Sequence, residues 1–523
     1  MSGDFSNRGE FSNRGEFGYR IELDRDDDGQ FATDLSMAVS AVTWRLGMAA
    51  AGERMAEPAW AAVQLRNESR ALSPEVSKLP LTPGLGLRIR YVDEEGHSTP
   101  LFVGQIARNE PETGSHGKRR ATLYAEDAQQ PLRENEIHLP TQESARADEI
   151  IAAILAHLPL RRPALAGHAI LGLAGHNALG ETTRLFSVAA VPQSFQRGRS
   201  RFELVNERWL AGISAWEAIR RIVNSERGRF YFDRRGRAVF LQRHHLLRQT
   251  EPTTHLRENA ATLEYRHGDS IINEWQVRLQ PRRRGEPGTA LWSTQRPLRL
   301  DGHAELRLRV HFRDELGRRV AALRVDAPRA GKDYRATRDA AGKGQDVTAL
   351  IAVLLLERAA DSALLSLHNL APQPLFVQLS LRGTPIWEEA PLTVVARDGR
   401  SVARFGRRPQ TLEHLALNDA EVAHQLACFE LPQSTEMRGV FRSITLNQRE
   451  QLPLILQHSL FDAVRITDEQ SGHSAAYCIV AEEHEVTHGG QRHQCRWWLE
   501  PAHTAHFATL GSSRLADEPL LAY

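Results

Sequence analysis

The strongest constraint in this sequence is a long succession of short β-compatible runs, each closed by a turn residue. From Gly18, Tyr19, Ile21 and Leu23 alternate with polar or charged residues, and Asp24–Gly29 (DRDDDG) turns the chain. Val39, Val42 and Trp44 follow, then Ala61–Arg66 (AAVQLR), Gly86–Tyr91 (GLRIRY), Leu101–Ile106 (LFVGQI) and Arg120–Glu126 (RATLYAE). Gly, Pro, Asn or Asp bounds each run. Short strands at this spacing predict a closed or nearly closed antiparallel barrel over residues 19–139.

Two segments then break the β pattern and define an α+β insert over residues 140–250. Ile150, Ile151, Ile154, Leu155 and Leu158 share one helical face within residues 144–158, and Pro159 and Pro163 stop that helix. Ser214, with Glu217 three residues on, has capping-box spacing for a second helix carrying Trp216, Ile219, Ile222 and Val223, and Gly228 ends it. Arg229–Phe232 and Ala238–Leu241 flank the turn Asp233–Gly236, which reads as a hairpin. Residues 251–435 form a β-rich middle domain, with strands expected at 274–280, 304–312, 375–381 and 392–396. Ala349–Leu356 fits a strand and a helix equally, and Asn418 with Glu421 reads as a helix cap. Residues 436–507 return to strands at 440–446, 463–467, 477–480 and 496–499. Residues 1–18 contain an immediate duplication, FSNRGE at 5–10 and 11–16, and read with residues 508–523 as tails. Pro, Gly and charge concentrate near 136–143, 250–262, 328–346 and 432–438, the expected linkers.

At 523 residues the chain is long enough for three or four domains and more than one core. Lys and Arg number 66 against 65 Asp and Glu, a net charge of +1 that excludes a chain-wide polybasic surface for bulk nucleic-acid binding. All but four of the basic residues are arginine, which points to a GC-rich genome more than to a function. No stretch of about 18 apolar residues predicts a transmembrane helix, and no apolar leader is visible. Cys428, Cys478 and Cys495 are too few to staple a chain of this length.

Four patterns invite a chemical reading. His484-Glu485-Val486-Thr487-His488 matches the H-E-x-x-H of zinc peptidases, where a helix presents both imidazoles to one metal and the glutamate acts as base. Its surroundings are strand-like: a β run precedes it, Val486 and Thr487 are β-branched, and Gly489-Gly490 follow. On a strand the two histidines sit roughly 13 Å apart, too far to share one zinc, and His493 is one place out of register for a third ligand. The expected reading is an exposed hairpin. Asp24–Asp28 with Gly29 fits the first half of a calcium loop, but the position that should be Glu is Leu35, so the rival is a solvated turn. Arg282–Arg284, Arg318-Arg319 and Arg407-Arg408 could meet phosphate or simply reflect arginine abundance. Trp497-Trp498 reads as one core ring and one interface ring, with carbohydrate stacking as the alternative. Walker loops, dinucleotide fingerprints, G-x-S-x-G elbows and CxxC pairs do not occur.

In their order along the chain, the strand motifs resemble the baseplate hub and tail-tip proteins of tailed phages, including the hub part of tail-associated lysins. Tyr19–Phe31, Val63–Asn67, Pro83-Gly84, Leu87–Arg90, Leu101–Ile106 and Ala121–Asp127 resemble that family's opening barrel. Ala215–Arg243 resembles its helix and hairpin. Residues 269–278, Asp398–Gly406 and Asn418–Leu431 resemble its middle segments, and Leu460–Thr467, Tyr477–Glu485 and Trp497–Ala502 its closing barrel.

The resemblance implies a β-rich α+β fold: two antiparallel β-barrel hub domains, an inserted α+β unit and a further β-rich domain. It implies a structural subunit and no enzyme, with no catalytic, cofactor-binding or metal residues, and a hub without an appended lysin. It further implies a homotrimeric ring of pseudo-sixfold symmetry in a virion tail assembled in the bacterial cytoplasm. The implied partners are a tail tube or distal tail protein, a tape measure protein and a spike or fibre, with DNA passing through the lumen.

Overall fold

The computed structural model describes residues 18–502, except 27–28, 71, 77–80, 114–118, 138, 159–174, 177–181, 184–192, 206–212, 246–251, 253, 258–261 and 269–270. The chain is β-rich. Its first part gives strands β1 (Gly18–Asp24), β2 (Val39–Gly47), β3 (Trp60–Arg66), β4 (Gly86–Val92), β5 (Ser98–Pro111) and β6 (Arg120–Glu126). The insert supplies helices α1 (Ala147–His157) and α2 (Ala215–Glu226), then strands β7 (Arg229–Phe232) and β8 (Ala238–Leu241). Later come β9 (Thr262–His267), helix α3 (Ala420–Glu430), β10 (Gly439–Asn447), helix α4 (Gln448–Gln457), β11 (Ala463–Asp468), β12 (His473–Thr487) and β13 (Arg492–Pro501).

The strands from the two ends of the chain form one sheet. Its order is β9–β10–β13–β12–β2–β3–β6–β5–β4–β1, with short strands at Thr33–Asp34, Thr254–Arg257 and β11 attached. Its hydrogen-bonded path has two ends, and among the described residues none of the sheets closes into a barrel, so the expected closed barrels are not shown. The sheet nevertheless coils: Tyr19 on β1 reaches His493 on β13, at 2.8 Å between hydroxyl and ring nitrogen. Residues of β1–β6 and β10–β13 therefore share one core, which includes Trp44, Phe102, Tyr477 and Trp497. A second core joins the insert to α3 and Glu274–Leu279. A third lies within residues 291–381, where the long strand Leu375–Glu388 pairs with several short ones. Among the described residues no helix is long and apolar enough to cross a membrane.

Local signals act where they were read. The Ser214 hydroxyl accepts from the Glu217 amide at 3.3 Å, and the hairpin register pairs Arg229 with Leu241 and Phe232 with Ala238. The α1 residues Ile150, Ile151, Ile154 and Leu155 are all buried. Ala349–Leu356 resolves as a strand over Ile351–Arg358. The α3 cap is Asp419, one residue past the expected Asn418, whose side chain instead accepts from the Arg282 backbone N–H. Helix α4 had no sequence signal strong enough to overcome Pro453 inside it.

The β2–β12 seam depends on Gly47, which has φ +106° and leaves no room for a Cβ, since that atom would lie 2.4 Å from the Val480 carbonyl. Gly47→Ala is expected to lower unfolding stability by about 1–3 kcal/mol. Gly52→Ala, at φ +87° in open space, loses less. Chemical denaturation of both variants checks the difference.

Candidate functional site

The alternation of β12 decides what its polar residues can do. Glu482, His484 and Val486 point inward, while Glu483 and Glu485 point outward. Register places Trp44, His484 and Cys495 side by side on β2, β12 and β13, with Leu46, Glu482 and Trp497 in the next inward row. An acid and two histidines (His493 joins them from β13) are thereby fixed inside an otherwise apolar core.

The partner of Glu482 comes from the insert. Asp233 accepts from the amides of Arg235 and Arg237, shaping a tight β7–β8 turn whose next residue, Arg234, enters the sheet's core. Its Nε and Nη2 donate to the two Glu482 oxygens at 2.7 and 2.6 Å. Nη2 also donates to the Ile455 carbonyl at 3.0 Å and Nη1 to that of Leu456 at 3.2 Å. The guanidinium is almost fully buried and the carboxylate wholly so. Burial pushes the Glu482 carboxyl up, but the Arg234 charge and hydrogen bonds outweigh it and hold the group below its ordinary value of 4.5. Two further buried pairs tie the same insert down: Arg227 to Glu430 of α3 at 2.6 Å, and Arg229 to Glu500 of β13 at 2.8 Å. Arg54 joins Glu430 at 3.3 Å.

The zinc-peptidase pattern is not assembled. His484 is buried on the strand, Glu485 is exposed on the opposite face, and His488 sits beyond the strand in the turn with φ 55°, its ring on Thr487. His493, the misplaced third candidate, contacts His484 and Tyr19. The expected exposed hairpin is half right: the turn is exposed, but His484 is core.

In the acidic turn, Asp24 is buried and accepts from the Gly29 amide at 2.8 Å; Leu35 is buried, and Asp27 and Asp28 lie outside the described residues. Five of the seven arginines in these runs face carboxylates of the chain itself, while Arg282 donates to the Leu204 carbonyl and Arg408 to that of Phe405. Arg407 meets Glu274 at 2.6 Å, Arg318 meets Asp314 at 2.7 Å, Arg319 meets Asp361 at 3.8 Å, Arg283 meets Glu389 at 3.5 Å, and Arg284 pairs with Glu143. Trp497 is buried, while Trp498 is flanked by the Arg45 and Arg496 guanidinium groups at 4.9 and 5.0 Å from its ring centre. Cys478 and Cys495 are buried thiols, pushed up by burial. Among the described residues, the one trio of close potential metal ligands is Asp93, Glu95 and His97 in the β4–β5 turn, where Asp93 also caps the turn amides.

No family model and no curated protein matches the sequence. Among solved structures, the chain is similar to a tail protein from Neisseria meningitidis, with TM-score 0.48 and 9% identity over 92% of this chain and 96% of that one. It is similar to the 43 kDa tail protein of prophage MuSo2 from Shewanella oneidensis, with TM-score 0.45 and 9% identity over 93% and 98% of the two chains. It is also similar to an E. coli type VI secretion component, itself described as similar to T4 bacteriophage tail proteins, with TM-score 0.32 and 9% identity over 89% and 73%.

Arg234→Met leaves the Glu482 carboxylate buried without its cation and is expected to cost about 3–5 kcal/mol, whereas Arg234→Met with Glu482→Met costs less than that single change. Urea unfolding of the two variants measures this. Exhaustive chelation is expected to leave the melting temperature unchanged, because His484 and His488 do not share a ligand position; a drop on chelation, restored by zinc, would contradict the assignment.

Proposed function

We propose that this chain is a structural tail-tip or baseplate hub subunit of a phage or phage-like injection particle. The observation that carries the reading is the ordered series of β motifs from Tyr19 to Ala502. The continuity of strands from both ends of the chain in one sheet is consistent with it. Each copy contributes two similar barrel-like units, so three copies make a ring of pseudo-sixfold symmetry. Such a trimer adapts a sixfold tail tube to a threefold spike or fibre, through heterologous contacts that close on themselves. The distal tail and tape measure proteins are its neighbours, it resides in the virion tail after assembly in the bacterial cytoplasm, and DNA or cargo passes its lumen. A net charge of +1 suits a lumen that must not retain DNA.

The role is non-enzymatic. Buried ion pairs hold the insert against the sheet and against α3, a rigid arrangement that suits a part bearing load between tube and spike. Light scattering of the purified chain across a range of concentrations is expected to give three times the 58.7 kDa chain mass. A monomer at every concentration that also fails to assemble on tube or spike partners would overturn the reading.

A further inference from the structure

The polar residues inside the main sheet form one continuous file. Arg234 holds Glu482; His484 Nε2 lies 3.6 Å from that carboxylate; His484 Nδ1 lies 2.9 Å from His493 Nε2; and His493 Nδ1 lies 2.8 Å from the Tyr19 hydroxyl. The groups come from β12, β13, β1 and the insert hairpin, and all are buried. Trp44 stacks flat on His484, with ring centres 4.5 Å apart and 5° between planes, so the imidazole is held in place.

One set of protons suits this file at neutral pH. Tyr19 donates to His493 Nδ1, His493 Nε2–H donates to His484 Nδ1, and His484 Nε2–H faces Glu482 with the Cys495 sulfur beside it at 3.8 Å. The reverse set would aim a lone pair of His484 at the carboxylate. Both imidazoles are then neutral, and the single charge of Glu482 is balanced by Arg234.

We infer that this file is an acid-sensitive latch, in which proton uptake by the His484–His493 pair displaces Arg234 and loosens the β7–β8 hairpin from the sheet. A proton reaching His493 passes along the file and leaves an imidazolium beside Glu482. One carboxylate then faces two buried cations, and an uncompensated buried charge is strongly unfavourable. The surrounding groups do not offset it. Tyr19, backed by Tyr91, and the Cys495 thiol stay neutral. His458, against Trp497 and 3.9 Å from Asp462, is a third buried histidine, and burial together with the Arg234 charge keeps it below 6.5 as well. Arg234 has somewhere to go. A cleft of about 470 Å³ beside it is lined by Asp233 and Asp462 as well as Tyr231, Leu456 and Leu460, and it gives both water and two carboxylates.

The direction in pH follows from burial, which keeps both imidazoles below the ordinary histidine value of 6.5, His493 well below it. The closed state therefore refuses the proton that the open state accepts. Docking is complete above 6.5 and weakens as pH falls. The Glu482 contribution is lost only below its ordinary 4.5, so the interval between the two values reports buried histidines, and the variant lacking His484 and His493 but keeping His458 tells which of them act.

Hydrogen–deuterium exchange of the full chain, stepped from about pH 7.5 to about pH 4.5 and corrected for intrinsic rates, tests the latch. The opening equilibrium at residues 229–241 and 455–457 is expected to rise about tenfold per pH unit for each histidine released, beginning near 6.5, while Leu375–Glu388 stays protected. In the His484→Gln, His493→Gln variant that rise is expected to vanish; its persistence would overturn the proposal. Should that variant not fold, the natural chain decides alone. A hairpin flat between 6.5 and 4.5, or one whose exchange rises in step with Leu375–Glu388, rules the latch out.

Discussion

The buried pair between Arg234 and Glu482 is the contact on which the arrangement of this chain turns. It joins a hairpin in the middle of the sequence to a strand near its end, and it does so inside a core where the carboxylate is wholly buried and the guanidinium almost so. Such a pair contributes little net stability against an apolar replacement, but losing one member leaves a buried charge. It therefore acts mainly on specificity: among compact arrangements, those that leave the turn outside the sheet carry a naked carboxylate. Arg227–Glu430 and Arg229–Glu500 apply the same constraint around the hairpin's base. Two of the three buried pairs fix the insert to the sheet, and Arg227–Glu430 fixes it to α3.

That constraint also explains the sheet itself. Strands β2 and β12 pair although they lie at opposite ends of the chain, and the Trp44–His484 stack sits on their shared inner face. Pairing between the ends of a chain is non-local and slow to form. An inner row of Trp44, His484 and Cys495 fixes that register, because a one-residue slip would turn these groups outward.

Local grammar made much of this legible. The cap at Ser214, the turn at Asp233–Gly236 and the alternating runs around Tyr19 and Trp497 all gave the elements they announce. What local grammar cannot carry is partnership across the chain. Arg234 reads as one more arginine in a solvent turn, and only its meeting with Glu482 reveals it as core. The HEVTH pattern misleads for a related reason: spacing alone does not say whether residues sit on a helix or a strand, and alternation puts His484 and Glu485 on opposite faces. A usable signal was present, since Glu482 and His484 occupy the inward positions between buried Val480 and Val486. Polar residues at such positions imply a buried partner. Barrel closure is not legible in the sequence, because strand spacing indicates the number and length of strands but not whether the last pairs with the first.

The hub account makes one geometric claim above all others: three copies of this chain enclose an open channel. Electron-microscope class averages of the purified chain, alone and with tube or spike proteins, test it directly. The account predicts threefold rings with a central opening. Single compact particles under both conditions, or assemblies lacking threefold symmetry or an open centre, would contradict it.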